Sequence, residues 1–217
     1  MKIIESLSEM RALAVELKSA GKKIGLVPTQ GALHAGQEGL IRAAVAHADV
    51  VVVSLFVNPL QFGANELVSK YPRSFEQDVE RCAACGAHIV FAPKAEEFYR
   101  PGFSSFVNEE TIAKPLCGPS RPGHFRGVAT AMAKMFLLVQ PTFAFFGQKT
   151  AQRAAVVRKM AGDLGFPVEI VVVPTVRDED GLALGVRNAD FTTTLRQEAL
   201  ALSKALKKGK EMSDSGV

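Results

Sequence analysis

The sequence predicts an α/β fold, in which a parallel sheet is covered by helices on both faces. Two observations support this class: apolar runs rich in β-branched residues recur along the chain, and amphipathic helical segments separate them. The run DVVVVSLFV is the clearest, because a continuous β-branched stretch is typical of a strand that is covered on both faces. Five such strands are expected.

The first half of the chain alternates helix and strand. A helix is predicted over SLSEMRALAVELKSAG, where Ser6 and Glu9 have capping-box spacing and Gly21 supplies a stop signal. The segments that follow are strand IGLVPT, a helix from about Gly36 to His47, strand DVVVVSLFV, helix SFEQDVERCAACG and strand HIVFAP.

The second half begins with a loop-rich stretch, residues 94–125, that is dense in Pro and Gly. Helix GVATAMAKMFLLVQ, strand FAFF, helix TAQRAAVVRKMAGDLG and strand VEIVVVP come next. We therefore predict a Rossmann-like domain over residues 1–190. Residues 191–217 form a helical remnant and a polar tail, too short for a second independent domain.

Composition narrows the function classes. The 217 residues are 47% hydrophobic and 22% charged, enough to bury a full core. The sequence shows no apolar run long enough for a membrane span and no signal-peptide pattern, so a cytoplasmic location is expected. The net charge of +4 is scattered without interleaved aromatics, which argues against nucleic-acid binding and suits an enzyme for anionic small molecules.

The three cysteines are expected to be packing residues. Cys82 and Cys85 form a C-x-x-C, but zinc would need further ligands and the sequence has no second pair. A redox motif would place its first Cys at a helix N-terminus, whereas these two end a helix just before Gly86. Cys117 carries no further signal.

Ligands of such sheets bind beyond the carboxyl ends of the strands, where the winding direction reverses. After the first of the five expected strands comes PTQGALHAGQ, where a helix N-terminus offers free amides for an anion. Gly31 and Gly36 allow close backbone approach, and His34 can donate to a phosphate oxygen. The alternative is a polar turn with a surface histidine.

The other strand ends also carry polar groups. Asn58 and Gln61 could orient a substrate through neutral amides, although both are ordinary loop residues as well. Basic side chains follow at three further positions: Arg121, His124 and Arg126 before one helix, Lys149 before another, and Arg187 after the last strand. Their convergence on one edge of the sheet favours a phosphate-handling cleft.

Several segments carry a family resemblance: VPT, GALH, VNPLQFG, YPRSFEQD, GPSRPGHFRGVAT, FPVEIV and VPTVRDEDGLAL. Over residues 1 to about 200 the sequence closely resembles the pantoate–β-alanine ligase (pantothenate synthetase) family. The resemblance implies a nucleotidyltransferase-type Rossmann-like domain of the HIGH class, and a cytoplasmic homodimer. It also implies ATP and Mg²⁺ as cofactors, adenylation of pantoate and transfer of the pantoyl group to β-alanine.

The resemblance also implies roles for single residues. His34, Lys149 and Arg187 would act on the ATP phosphates as the catalytic groups, and Asp78 lies in the segment linked to Mg²⁺. Residues expected to bind nucleotide or substrate are Gln30, Gly36, Gln37, Asn58, Gln61, Arg121, His124, Gly147, Thr150, Arg153 and Val186.

This chain departs from the family pattern at its predicted pocket. Gln37 stands where the family writes the second His of H-x-G-H, and Gln30 stands where Met is usual. In the segment that the family writes GEKDxQQ, Thr150 replaces the acid and Arg153 replaces a substrate-holding glutamine. Gly185-Val186 replaces two serines, and the resemblance implies that most of the family's C-terminal domain lies outside these 217 residues.

These changes predict a strongly impaired ligase. A lost transition-state hydrogen-bond donor costs on the order of 3 kcal/mol, or ~100-fold in rate, and at least four positions are altered. ATP and Mg²⁺ need not be retained. The alternatives are a ligase with shifted substrate preference, a pocket redesigned on a truncated scaffold for a new small molecule, a natural pseudoenzyme, or a dimerisation module.

Overall fold

A six-stranded parallel sheet organises the protein, with strands in the order β1-β4-β3-β2-β5-β6. The computed structural model describes residues 1–63, 68, 71–72 and 74–216, with the backbone alone at positions 187 and 189. The strands are β1 (Lys2–Ile4), β2 (Ile24–Thr29), β3 (Val50–Leu55), β4 (Ile89–Phe91), β5 (Phe143–Gly147) and β6 (Glu169–Val173). The predicted α/β class is confirmed.

Helices cover both faces of the sheet. They are α1 (Leu7–Ser19), α2 (Ala35–Val45), α3 (Phe75–Ala84), α4 (Ala95–Phe98), α5 (His124–Val139), α6 (Ala151–Asp163) and α7 (Thr193–Asp214). One apolar cluster joins the sheet to α1, α5 and α6, and a second joins it to α2 and α3. Short 3₁₀ turns at Pro59–Gln61, Gln148–Thr150 and Val186–Asp190 lie near the strand ends.

The five expected strands are present, and β1 is an additional one. It spans three residues and pairs with β4, Lys2 opposite Ile89. Ile4 is buried while Lys2 and Ile3 are exposed, so the segment is too short and too mixed to show a strand pattern.

The cysteines lie as predicted from their sequence context. Cys82 and Cys85 are buried on α3 and at its end, and Cys117 is exposed; all three are free thiols. Burial raises the pKa of Cys82 to about 12, with a further contribution from the Asp78 carboxylate. Cys82 is therefore an unreactive core residue at neutral pH.

The sheet opens between β2 and β5. β2 pairs with β3 along all six of its residues, whereas its register with β5 covers Gly25 opposite Phe143 and Leu26 opposite Ala144. Beyond Leu26 and Ala144, strands β2 and β5 diverge toward their carboxyl ends. The chain winds outward from β2 to one sheet edge and returns to β5, so this gap is also the topological switch point.

Helix α7 is fastened to the loop after β6 by ion pairs. Arg196 lies 2.8 Å from the Asp178 carboxylate and 2.7 Å from that of Asp180. Leu200 is the residue of α7 that is buried, among those described. The domain boundary at residue 190 stays a prediction. Within the described part of the chain, helices that are both long and apolar enough to cross a membrane are absent.

Helix α5 approaches the Pro59–Gln61 turn closely because Gly127 has no side chain. A Cβ atom at position 127 would overlap the backbone carbonyl of Leu60. The Asn58 side-chain amide donates to the Gly127 carbonyl at 3.0 Å, and this hydrogen bond also holds the turn against helix α5. This approach places Gln61 next to His124 at the start of α5.

We expect Gly127→Ala to destabilise the fold by about 1–3 kcal/mol, because two backbone segments must move apart to admit the methyl group. The midpoint of urea unfolding measures this. Gly162→Ala is the matched control, since Gly162 lies in helix α6 with open space where its Cβ would be. The control should be neutral or stabilising by up to about 1 kcal/mol. Equal effects of both substitutions would contradict the role assigned to Gly127.

Candidate active site

A cavity of about 1120 Å³ lies where β2 and β5 diverge. Residues that follow β2, the Pro59–Gln61 turn, β5 and β6 all contribute to its wall. The predicted site residues on this wall are Gln30, His34, Gly36, Gln37, Gln61, Arg121, His124, Gly147, Lys149, Thr150, Arg153 and Val186. The structure therefore brings most of the predicted set together, while the binding role of each stays a prediction.

His34 caps helix α2 through its own imidazole. Its Nδ1 accepts a hydrogen bond from the Gly36 amide at 3.0 Å, so the neutral ring carries its proton on Nε2. Desolvation lowers the pKa of His34, and the nearby Lys149 ammonium lowers it further. His34 is therefore neutral at pH 7 and has one N–H to offer a phosphate oxygen.

The free helix amides predicted from the sequence are already in use. The amides of Gln37 and Glu38 donate to the His34 carbonyl, at 2.9 and 3.1 Å, and the Gly36 amide donates to the His34 ring. A Cβ at Gly36 would lie 2.7 Å from the ring, so glycine is what lets the imidazole fold over the helix start. An anion can reach the Gly36 amide after the ring turns away.

Gln37 has a structural role in addition to its place on the wall. Its Oε1 accepts from the His34 backbone amide at 3.0 Å and completes a capping box. The neighbouring Glu38 pairs with Arg42 and with Arg81 of α3, and it lies outside the cavity wall. The negative charge of Glu38 is thus neutralised away from the site.

The Lys149 side chain occupies space that is open because residue 185 is glycine. The Lys149 ammonium donates to the Leu184 carbonyl and occupies the space that a side chain at position 185 would fill. Burial lowers the pKa of Lys149, with a contribution from the positive charge of Arg177. The lysine can release this carbonyl to contact a phosphate, whereas Gly185 contributes no side-chain donor.

The two residues nearest Lys149 in the altered segments add little polarity to the cavity. The Thr150 hydroxyl donates to the Gly147 carbonyl at 3.1 Å, and Val186 is apolar. Arg187 lies in the 3₁₀ turn Val186–Asp190, and its side chain falls outside the described part of the structure. Its catalytic role stays a prediction.

Gln61, His124 and Arg121 form a second polar group on the wall. His124 Nδ1 donates to the Gln61 carbonyl at 2.8 Å, which leaves Nε2 as the acceptor for Arg121 Nη1 at 3.3 Å. The Gln61 side-chain Oε1 accepts from Asn58 at 3.4 Å, so the amide nitrogen of Gln61 is the end that can serve a ligand.

Asn58 was expected to hold a substrate, and that role stays a prediction; the structure shows Asn58 in contact with the scaffold. It is buried and lies outside the cavity wall. Its Oδ1 accepts from the Leu60 amide and the Tyr99 hydroxyl, and its Nδ2 donates to the Gly127 carbonyl. Asn58 positions the turn that carries Gln61, and its polar atoms are used for that purpose.

Asp78 also acts within the scaffold. Its two carboxylate oxygens accept from the backbone amides of Ala32 and Leu33, at 2.9 and 2.7 Å, and Ser74 donates to it at 3.2 Å. This buried carboxylate fixes the turn between β2 and α2. Among the described residues, groups of three or more His, Cys, Asp or Glu side chains that could hold a metal are absent. The donor set therefore does not fit a metal held by the protein, and the Mg²⁺ assignment to Asp78 has no support from this geometry.

Arg153 and Gln30 line the cavity, and each has one buried donor without a protein acceptor. The Nε of Arg153 and the Nε2 of Gln30 are both sealed from solvent, and protein groups that accept a hydrogen bond from them are absent from the described residues. The Arg153 guanidinium lies 5.9 Å from the centre of the Phe146 ring. Burial lowers the pKa of Arg153.

Sequence reasoning missed Gln152. Its amide nitrogen donates to the carbonyls of Ile112 and Pro115, and its Oε1 accepts from the Cys117 amide at 3.0 Å. Gln152 thus fixes part of the loop-rich segment to α6 beside the cavity. The only available signal was its place next to Arg153, since a contact across 35 to 40 residues leaves no local pattern.

We expect Gln37→Ala to destabilise the protein by about 0.5–1.5 kcal/mol, the usual net contribution of one hydrogen bond. The loss arises because the His34 amide at the start of α2 no longer has its acceptor. Gln37→Glu is the control: it keeps the acceptor and adds a charge that the helix N-terminus favours. Thermal unfolding of the parent protein and of the two variants measures the difference in stability. A Gln37→Ala protein as stable as the parent would contradict the capping role.

Comparison with known proteins identifies relatives along nearly the whole chain. The family model described as pantoate-beta-alanine ligase matches residues 2–216. Pantothenate synthetase 1 of Bradyrhizobium diazoefficiens is 52% identical over 206 residues, which cover 95% of this chain and 73% of that protein. The pantothenate synthetase of Moorella thermoacetica is 47% identical over 216 residues, 100% of this chain and 76% of its own length.

Solved structures agree with the sequence relatives. The pantothenate synthetase of Thermus thermophilus superposes with a TM-score of 0.92 at 44% identity, over 100% of this chain and 77% of that one. The pantoate-beta-alanine ligase of Francisella tularensis, solved in complex with beta-gamma ATP and beta-alanine, gives a TM-score of 0.88 at 33% identity. That match covers 95% of this chain and 79% of the other.

Proposed function

The chain belongs to the pantoate–β-alanine ligase family, and we propose that it retains the ligase site in a strongly impaired form. The observation that carries the proposal is the cavity between β2 and β5, on whose wall His34 and Lys149 lie together. Relatives that are ligases, one of them solved with an ATP compound and β-alanine, supply the substrates.

The proposed reaction has two steps. The pantoate carboxylate attacks the α-phosphorus of ATP, forming the acyl–phosphate bond of pantoyl adenylate and releasing pyrophosphate. The β-alanine amine then attacks the acyl carbonyl, the amide bond forms, and AMP leaves. Neither step needs a covalent enzyme intermediate, so catalysis depends on positioning and on neutralising phosphate charge.

The residues of this chain support both tasks in part. The Nε2–H of His34 and the Lys149 ammonium can donate to phosphate oxygens, and Gln61 with His124 can orient the acid. Mg²⁺, when bound, would neutralise phosphate charge; we assign it to the nucleotide and surrounding water rather than to Asp78, since Mg²⁺ commonly keeps several waters.

We expect impaired ligase activity because the altered side chains either contact the protein itself or lack a polar group. Gln37 completes a helix cap, Thr150 donates to a backbone carbonyl, and positions 185 and 186 carry no hydroxyl. Relative to the family pattern, position 37 has lost an imidazole, positions 185 and 186 have lost two hydroxyl donors, and position 150 has lost a carboxylate. At ~100-fold for each lost donor, turnover should fall by several orders of magnitude even when the losses are not additive.

A second candidate function is a redesigned pocket for a different small molecule. The unpartnered donors of Arg153 and Gln30 favour it, because both stand at positions where the family resemblance expects another residue. Under this proposal the inherited scaffold serves a new ligand, and ATP and Mg²⁺ need not be retained.

We expect very slow AMP release from Mg-ATP, pantoate and β-alanine. Reverting the altered segments with Gln37→His, Thr150→Asp, Arg153→Gln, Gly185→Ser and Val186→Ser should raise kcat/KM by about 100-fold or more, since the imidazole and the two serine hydroxyls return as phosphate donors. Leu137→Gln, on the exposed face of α5, is the control for non-specific effects. Rapid turnover by the unaltered chain would contradict impairment, and an unchanged rate after reversion would contradict its assigned cause.

We also propose that the protein is a cytoplasmic homodimer, which the family resemblance supports. Size-exclusion chromatography with light scattering should give about twice the mass of one chain, which is 23.3 kDa. A single peak at the monomer mass at all concentrations would contradict the dimer.

A further inference from the structure

A side chain from the segment after β4 reaches the turn after β3. Tyr99 directly follows helix α4, and its hydroxyl donates to Asn58 Oδ1 at 2.9 Å. Burial raises the pKa of Tyr99, so the hydroxyl keeps its proton and donates at neutral pH. Tyr99 lies outside the cavity wall, and an effect on a ligand has to pass through Asn58.

The Tyr99 ring is fixed by its neighbours. The rings of Phe98 and Phe103 meet it edge to face, at centroid distances of 5.0 and 4.9 Å. The Lys134 ammonium lies 5.5 Å from the centre of the same ring. Edge-to-face and cation–π contacts both depend on geometry, so together they favour one position of the ring. The hydroxyl is therefore in place before a ligand enters.

Asn58 joins the Tyr99 hydroxyl to Gln61. Its Oδ1 accepts from Tyr99 and from the Leu60 amide, which leaves its Nδ2 as the donor. This nitrogen donates to the Gly127 carbonyl at 3.0 Å and to Gln61 Oε1 at 3.4 Å. Because the Gln61 oxygen is engaged, Nε2 is the end of the amide that can serve a ligand, and Gln61 lines the cavity.

The Tyr99 hydroxyl contributes to this orientation because the amides involved are buried. Asn58 and Gln61 are both nearly inaccessible to solvent. Removal of the hydroxyl leaves the Asn58 oxygen one donor short, which is costly in a buried position. An Asn58 amide that shifts to recover a donor weakens its contact with Gln61 Oε1. Gln61 can then turn its oxygen toward the cavity, and an oxygen cannot donate to an acid.

We infer that Tyr99 is a positioning residue for the acid substrate. It acts through Asn58 and orients Gln61 so that Nε2 meets an oxygen of the acid. The inference rests on the proposed function, in which Gln61 and His124 orient pantoate.

Calorimetric titration with pantoate, in the presence of an ATP analogue that cannot be hydrolysed, tests this role. Tyr99→Phe should weaken pantoate binding by roughly 3- to 10-fold, the usual net contribution of one hydrogen bond, and should leave the affinity for the analogue unchanged. In a Gln61→Met background the same substitution should have no further effect, because the Gln61 amide is already gone. Equal losses of pantoate affinity in both backgrounds would overturn the inference.

Thr130→Val is the matched control, because it also removes one buried hydroxyl. Thr130 fastens the same loop-rich segment to helix α5: its hydroxyl accepts from the Val107 amide at 3.0 Å and donates to the Arg126 carbonyl at 2.8 Å. The control should lower the midpoint of thermal unfolding and leave pantoate affinity unchanged. If it weakens pantoate binding as much as Tyr99→Phe does, loosening of the segment explains both results and the inference fails.

A measurement without ligand separates this inference from the proposed function. In isotope-labelled protein, the side-chain amide signals of Gln61 are identified by NMR through their loss in Gln61→Met. They should move in Tyr99→Phe and keep their positions in Thr130→Val; unchanged signals in Tyr99→Phe would overturn the positioning role. A parent chain that binds neither pantoate nor the ATP analogue would overturn the ligase proposal, whereas these signals would still decide whether Tyr99 orients Gln61.

Discussion

The divergence of β2 from β5 is the constraint on which the site depends. The two strands share a register at Gly25 and Leu26 and then separate, so a cavity forms at the middle of the sheet rather than at its edge. A gap between central strands can persist only because each strand is fully paired on its other side, β2 with β3 and β5 with β6. The inherited topology thus supplies the cavity before any polar side chain is considered.

Several polar side chains that look functional in the sequence support the scaffold around that cavity. Asp78 fixes the turn after β2, Asn58 fixes the turn after β3, and Gln37 caps α2. Each is satisfied by backbone groups, which is the usual state of polar groups in a folded interior. His34, Lys149, Arg153 and Gln30 lie on the cavity wall, and their binding roles stay predictions.

The sequence predicted the sheet, its helices and the cluster of strand ends because those follow from apolar periodicity and from the geometry of parallel sheets. It did not predict β1, whose three residues carry too little pattern. It did not show the contacts of Asn58 with Gly127 and the Tyr99 hydroxyl, because these partners come from segments 69 and 41 residues away. It also took the amides of α2 as free, since nothing local shows that the His34 ring would turn onto its own helix.

Gln152 and Arg153 are neighbours in sequence with different surroundings. Adjacent residues on a helix point about 100° apart, so Gln152 holds the loop-rich segment against α6 while Arg153 lines the cavity. The side chain that holds the loop and the side chain that lines the cavity thus belong to two consecutive residues. A substitution of Arg153 can therefore change the cavity wall while Gln152 still holds the loop beside it in place.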